Sequence, residues 1–109
     1  MKLRINENEI LLNKNQGYIG AFVYEKEFNR SLTNDLFKVI NTGQAEDISY
    51  DFATFARLVY ILGGLNKTFS FEEFLNKIPS NYMFMEDFVE VMEVASKAYL
   101  PTESQSEEN

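Results

Sequence analysis

The chain has 109 residues, 45% hydrophobic and 25% charged, with ten basic and 17 acidic side chains for a net charge of −7. Those proportions describe one ordinary globular domain. The absence of Cys, His and Trp excludes disulfides, thiolate and imidazole metal sites, cysteine nucleophiles and triads built on imidazole.

Met1, Leu3 and Ile5 alternate with Lys2, Arg4 and Asn6, and Ile10 and Leu12 repeat the pattern after the polar run 6–9. This is the period of half-buried strands and predicts a hairpin with a tight Asn-containing turn, although Leu11 interrupts the alternation. An isolated hairpin is marginal in water, so it must pack against the rest of the chain. After the polar break 13–17, a helical pattern begins near Tyr18. Tyr18, Ala21, Phe22 and Phe28 are expected on one side of it, and Glu25, Lys26, Glu27 and Arg30 on the other. Gly20 costs such a helix roughly 1 kcal/mol, which close packing would explain. A short helix over 35–41, capped by Thr33 or Asn34, would bury Leu36, Phe37 and Ile40. Asp35 suits its positive end and Gly43 its left-handed terminus.

Ile48, Phe52, Phe55, Val59 and Leu62 recur at spacings of four and three, and Arg57 is the one charged residue between Phe55 and Leu62. This predicts a central helix that starts at Asp47 or Asp51 and ends at Gly63-Gly64. In Phe69-Ser70-Phe71-Glu72-Glu73-Phe74, Ser70 and Glu73 have the spacing of a capping box, and Phe69 and Phe74 that of a hydrophobic staple. Pro79 stops that helix near Lys77. Ser80 or Asn81 would open the last one, with Phe84, Phe88, Val91, Met92, Ala95 and Tyr99 on its inner face. Glu86, Asp87, Glu90, Glu93 and Lys97 lie on its outer face, with Glu93 and Lys97 in the favourable order for an i, i+4 ion pair. Pro101 ends it, and the residues that follow are polar and acidic. The expected architecture is mostly α (α+β), with an N-terminal β-hairpin and about five helices in one compact domain over residues 1–100. A disordered acidic tail is expected over 101–109.

No stretch has the spacing of a phosphate loop, a dinucleotide fingerprint or an EF-hand. The carboxylate pairs Glu72/Glu73 and Glu86/Glu90 read as solvated helix faces rather than acid–base or metal sites. No catalytic residue, cofactor or metal is therefore expected. The apolar run Leu58–Leu65 is far shorter than the roughly 20 residues that span a bilayer, and the N-terminus lacks the apolar core of a signal peptide. A cytoplasmic protein without membrane contact is expected. Its charge is uneven: residues 1–45 carry six bases and five acids, residues 46–85 three and five, and residues 86–109 one and seven. Net negative charge disfavours sequence-independent nucleic-acid binding.

Ten Phe and six Tyr are a large aromatic complement for this length. Most Phe positions fit the core stripes, whereas Tyr24, Tyr50 and Tyr60 lie off them or at their edges, where tyrosine suits an interface. Tyr82, Met83, Phe84 and Met85 are consecutive and cannot all face one core. Tyr24, Tyr50, Tyr60, Tyr82, Met83 and Met85 are thus the candidate partner-binding residues.

In order, the strand Met1–Asn6 and second strand Glu9–Asn13, the Gly-aromatic helix Gly17–Phe28 and the Phe-, Ala-, Leu- and Tyr-rich helix Asp51–Leu62 form a pattern that continues through Ser70–Lys77 to the acidic end Glu86–Asn109. This pattern resembles the tail assembly chaperones of long-tailed phages and prophages of Gram-positive bacteria over about residues 1–100. Asn6-Glu7-Asn8 departs from the Gly-containing turn common there, which leaves the hairpin register open. The resemblance implies a non-enzymatic protein of the bacterial host cytoplasm, absent from the mature virion. It would bind the tape measure protein, keep it soluble and help recruit tail tube protein, with self-association as a further contact. Two other readings remain: an acidic DNA mimic that inhibits a nucleic-acid-binding protein, and a small structural component of the virion.

Overall fold

The computed structural model of the chain describes residues 2–5, 8–14, 17–41 and 51–99, with the backbone alone for Asn8, Ile40 and Asn41. The fold is mostly α with an N-terminal hairpin. Strands β1 (Lys2–Ile5) and β2 (Asn8–Leu11) precede helices α1 (Tyr18–Phe28), α2 (Leu32–Asn41), α3 (Phe52–Leu62), α4 (Phe71–Asn76) and α5 (Phe84–Tyr99). Tyr50, Ile48, Gly43 and the tail 101–109 lie outside the described residues.

The hairpin is antiparallel, with Lys2 opposite Leu11, Leu3 opposite Ile10, Arg4 opposite Glu9 and Ile5 opposite Asn8. Alternation turns Leu3, Ile5 and Ile10 inward, Leu12 is also buried, and Leu11 faces out. Arg4 and Glu9 pair at 3.1 Å across the exposed face, a contact worth little in water. The hairpin rests on the C-terminal end of α3, where the Lys14 amide donates to the Leu62 carbonyl at 2.9 Å. Gly63 permits this approach, since a Cβ there would collide with the Ile10 side chain and the Val59 carbonyl. Gly64, at φ 70°, then takes the left-handed conformation that releases the chain from the helix.

Helix α3 is the centre of the domain and touches α1, α4 and α5. Asp51 caps it, accepting from the Ala53 amide at 3.1 Å. Phe55, Ala56, Leu58, Val59, Tyr60, Ile61 and Leu62 are all buried. Two aromatic clusters form around its two ends. Phe28, Tyr60, Phe71 and Phe74 tie α1 and α4 to its C-terminal half, with Phe28 edge-on to Phe71 at 4.8 Å. Phe52, Phe55, Phe84 and Phe88 join its N-terminal half to α5. Helix α4 carries the complete capping box: the Ser70 hydroxyl accepts from the Glu73 amide, and the Glu73 carboxylate accepts from the Ser70 amide at 2.8 Å.

Several local expectations change. Helix α2 begins at Leu32, and its first turn is capped by Ser31, whose hydroxyl accepts from the Asn34 amide at 3.2 Å. Thr33 and Asn34 therefore lie inside the helix. Its inner face is Leu32, Asp35, Leu36 and Val39, and Phe37 points out. Ser80 and Asn81 lie in a turn after Pro79, closed by the Tyr82 amide on the Pro79 carbonyl at 3.1 Å, and α5 starts only at Phe84. No ion pair joins Glu93 to Lys97: among the described residues, the salt bridges involve only Arg4, Arg30 and Arg57.

Candidate functional site: the outward face of α1

Helix α1 follows Gly17, which is extended and offers no side-chain cap, and ends at Asn29, whose φ of 56° is left-handed. The residues Tyr18–Tyr24 include no charge, so hydrophobicity alone does not decide which side of the helix faces inward. A polar cluster beneath it decides. The Tyr24 hydroxyl donates to Asp35 Oδ2 of α2 at 2.6 Å. Arg30, on the turn between the two helices, clamps the same carboxylate from Nε at 2.9 Å and Nη2 at 2.9 Å. Arg57 of α3 reaches in from the other side, Nε donating to the Tyr24 oxygen at 2.9 Å and Nη2 to Asp35 Oδ2 at 3.4 Å. Arg57 also donates to Thr54 at 3.2 Å, and the Thr54 hydroxyl donates to the capping Asp51 at 2.7 Å. Three helices and a turn thus share one network.

Asp35 is only 3% exposed. Its burial works to raise the carboxyl pKa, but the hydrogen bonds from Arg30 and Tyr24 and the two guanidinium charges together outweigh it and hold the group below its usual value. Burial, then the hydrogen bond to Asp35, drives the Tyr24 phenol well up. Asp35 is therefore ionised and Tyr24 protonated at neutral pH. Among the described residues no buried side-chain nitrogen or oxygen lacks a partner.

With Tyr24 held inward, helical geometry sets the rest of α1. Phe22 lies about 160° around the helix from Tyr24, and Ile19 and Tyr18 at least about 120° from it. Gly20 shares the buried side with Tyr24, whereas Tyr18, Phe22 and Ile19 are 95%, 61% and 55% exposed. Lys26 continues this face, its ammonium 5.9 Å from the Phe22 ring centre. Tyr18 and Phe22, expected on the inner side, are therefore on the outer one. The i, i+4 pair Gly20 and Tyr24 was the signal of the inner face, and Arg57, a lone charge in an apolar helix, was the signal of a buried carboxylate.

Two of the tyrosines expected to meet a partner are enclosed instead. Tyr24 is the anchor of the network, and Tyr60 is buried in the aromatic cluster with its hydroxyl donating to the Phe69 carbonyl. Both off-stripe positions were filled by hydrogen-bonded tyrosines facing the interior, a role that apolar periodicity does not reveal. Tyr82 is half-buried, packed at 6.2 Å from Phe55 and donating to Asp87 at 2.7 Å. Burial, followed by that hydrogen bond, drives its phenol up. Met83 and Met85 are exposed, on α5 and the turn before it rather than on α1.

Among the described residues no three acidic side chains are grouped to hold a metal ion, and no helix is long and apolar enough to cross a membrane. No protein-family model matches the chain, and no curated protein or solved structure matches it significantly. What the α1 face can do follows from its chemistry: two aromatics and an isoleucine on a helix held by the network beneath it offer exposed apolar area to a partner.

Proposed function

We propose that the chain is a non-enzymatic tail assembly chaperone, which binds the tape measure protein in the cytoplasm of a bacterial host, keeps it soluble and helps recruit tail tube protein. The observation that carries this reading is the exposure of Tyr18, Ile19 and Phe22 on one face of a helix whose rotation is locked by Asp35. A monomer gains nothing from three large apolar side chains in water, whereas a partner helix laid along them buries both surfaces. The resemblance in element order supports the same reading. So does the concentration of acid in residues 86–109, one base against seven acids, which would keep a coated partner in solution.

The test is co-expression with the long tape measure protein of the same gene cluster. A soluble complex that purifies with this chain, together with its absence from finished virions by mass spectrometry, supports the chaperone. Retention in virions favours a structural component. Salt-sensitive capture of a DNA-binding protein in place of the tape measure protein favours the DNA mimic.

A further inference from the structure

The acidic side of α5 has a pattern of its own, independent of the α1 face. Phe88, Val91, Met92 and Ala95 are buried, and Glu86, Glu90 and Glu93 form the opposite, exposed ridge. Between ridge and core, on one flank, lie Met85 and Val89, one turn apart and 52% and 47% exposed. Val89 is turned only about 40° from Glu93 around the helix axis, so apolar strip and acidic ridge are adjacent and parallel. No described basic side chain pairs with any of the three glutamates, and even Lys97 on the same helix does not. Asp87, by contrast, is engaged by Tyr82. The three charges thus have no described basic partner, and a partly exposed apolar strip lies beside them.

We propose that this flank of α5 is a second docking surface, whose occupant is a basic amphipathic helix of a partner protein. Apolar side chains of that helix would cover Met85 and Val89, and Lys or Arg on its adjoining face would lie over Glu86, Glu90 and Glu93. Methionine suits such a surface because its unbranched, polarizable side chain adapts to different partners. The parallel stripes suit a helix, whose side chains recurring every three or four residues can meet both along the same line. Charge selects a basic partner over a neutral one and repels a second copy of this chain, which carries −7. Together with α1, this makes the domain bivalent: one face is selected by aromatic area, the other by charge.

The test titrates the full chain with three synthetic helical peptides of about 18 residues. They share one leucine face and carry Lys, Gln or Glu on the polar side. The Lys peptide should bind about tenfold more tightly than the Gln peptide, as expected from three exposed ion pairs of modest strength each. Its affinity should fall as salt rises, and the Glu peptide should not bind. The triple variant E86Q/E90Q/E93Q should erase the preference for Lys over Gln while melting like the parent. M85S/V89S should weaken Lys and Gln peptides alike. In spectra of the labelled protein, shifts should map to α5 and leave Ile19 and Phe22 unmoved. Equal binding of the Lys and Gln peptides, an unchanged preference in the triple Gln variant, or shifts confined to α1 would overturn the proposal. So would a dimer in sedimentation that is lost in M85S/V89S, because a second copy would then own the surface. None of these outcomes depends on whether the tape measure protein binds.

Discussion

Helices α1 and α5 both pack on α3, yet they are oriented there by different means and present opposite faces to water. Helix α5 is held by Phe88, Val91, Met92 and Ala95 and turns glutamates outward. Helix α1 is packed through Phe28 and the Tyr24 ring but turned by a shared carboxylate, a tyrosine hydroxyl and two guanidinium groups, and it presents aromatics outward. The difference shows what a polar network contributes. Rotating α1 to bury Phe22 would gain roughly 2 kcal/mol from its ring. The same rotation would withdraw the Tyr24 hydroxyl from Asp35 and Arg57, and unsatisfied buried groups, one of them charged, cost as much or more. Apolar area sets how firmly a helix is held, and the polar cluster sets which way it faces.

The largest effect should come from the apolar mount. Phe88→Ala removes a buried ring that packs on Phe55 at 6.4 Å, and should cost about 4 kcal/mol in urea denaturation. Next is the polar mount. Asp35→Ala leaves the Tyr24 hydroxyl without its acceptor and the Arg30 and Arg57 guanidinium groups without their counter-charge, and should cost about 3 kcal/mol, the lower end for a broken buried pair because Arg30 stays partly solvated. Only this second loss should depend on pH. The Asp35 carboxyl titrates lower in the folded chain than in the unfolded one, so its contribution is complete above the unfolded value of about 3.9 and disappears as pH falls through the folded one. The stability gap between parent and Asp35→Ala should therefore close on acidification below about pH 4, measured by denaturation at several pH values. The gap for Phe88→Ala should persist while both chains stay folded. If both gaps behave alike, the two mounts are not different in kind.

A smaller effect separates the members of the polar cluster. Tyr24→Phe keeps the ring against Phe28, 5.1 Å away, and removes one donor to Asp35 and one acceptor for Arg57. A loss of about 1 kcal/mol is expected, read from the urea midpoint at unchanged slope. A loss as large as that of Asp35→Ala would mean that the hydroxyl, and not the guanidinium clamp, is the main partner of the carboxylate.

The same contrast explains what the sequence discloses. The face of α5 is written in a regular spacing of apolar and acidic residues, and Phe88, Val91, Met92 and Ala95 are where that spacing puts them. The capping box of α4 is equally local, four residues deciding their own geometry. The hairpin follows from alternation, although its register had to await Gly63 and the packing of Ile10. In α1 every position from Tyr18 to Tyr24 is uncharged, so periodicity supports two rotations, and the choice lies 11 and 33 residues away in Asp35 and Arg57. Tyr24 and Tyr60 looked like interface residues for the same reason: a buried phenol needs a distant acceptor, and distance along the chain hides it.

The smallest effect on stability carries the sharpest test of the α1 face. Phe22→Ser replaces a ring that is 61% exposed, and should change unfolding free energy by no more than about 0.5 kcal/mol. On the proposed function it should nonetheless cost the complex with the tape measure protein at least about tenfold in affinity, as loss of a central aromatic anchor does. Tyr24→Phe makes the converse comparison, since it lowers stability and leaves the outward stripe intact, and the complex should survive it. Two substitutions only two residues apart would then have opposite signatures, one in folding and one in binding. If Phe22→Ser instead costs several kcal/mol of stability, the ring belongs to the core and α1 faces the other way. If it leaves both stability and the complex untouched, the aromatic stripe is not where the tape measure protein binds.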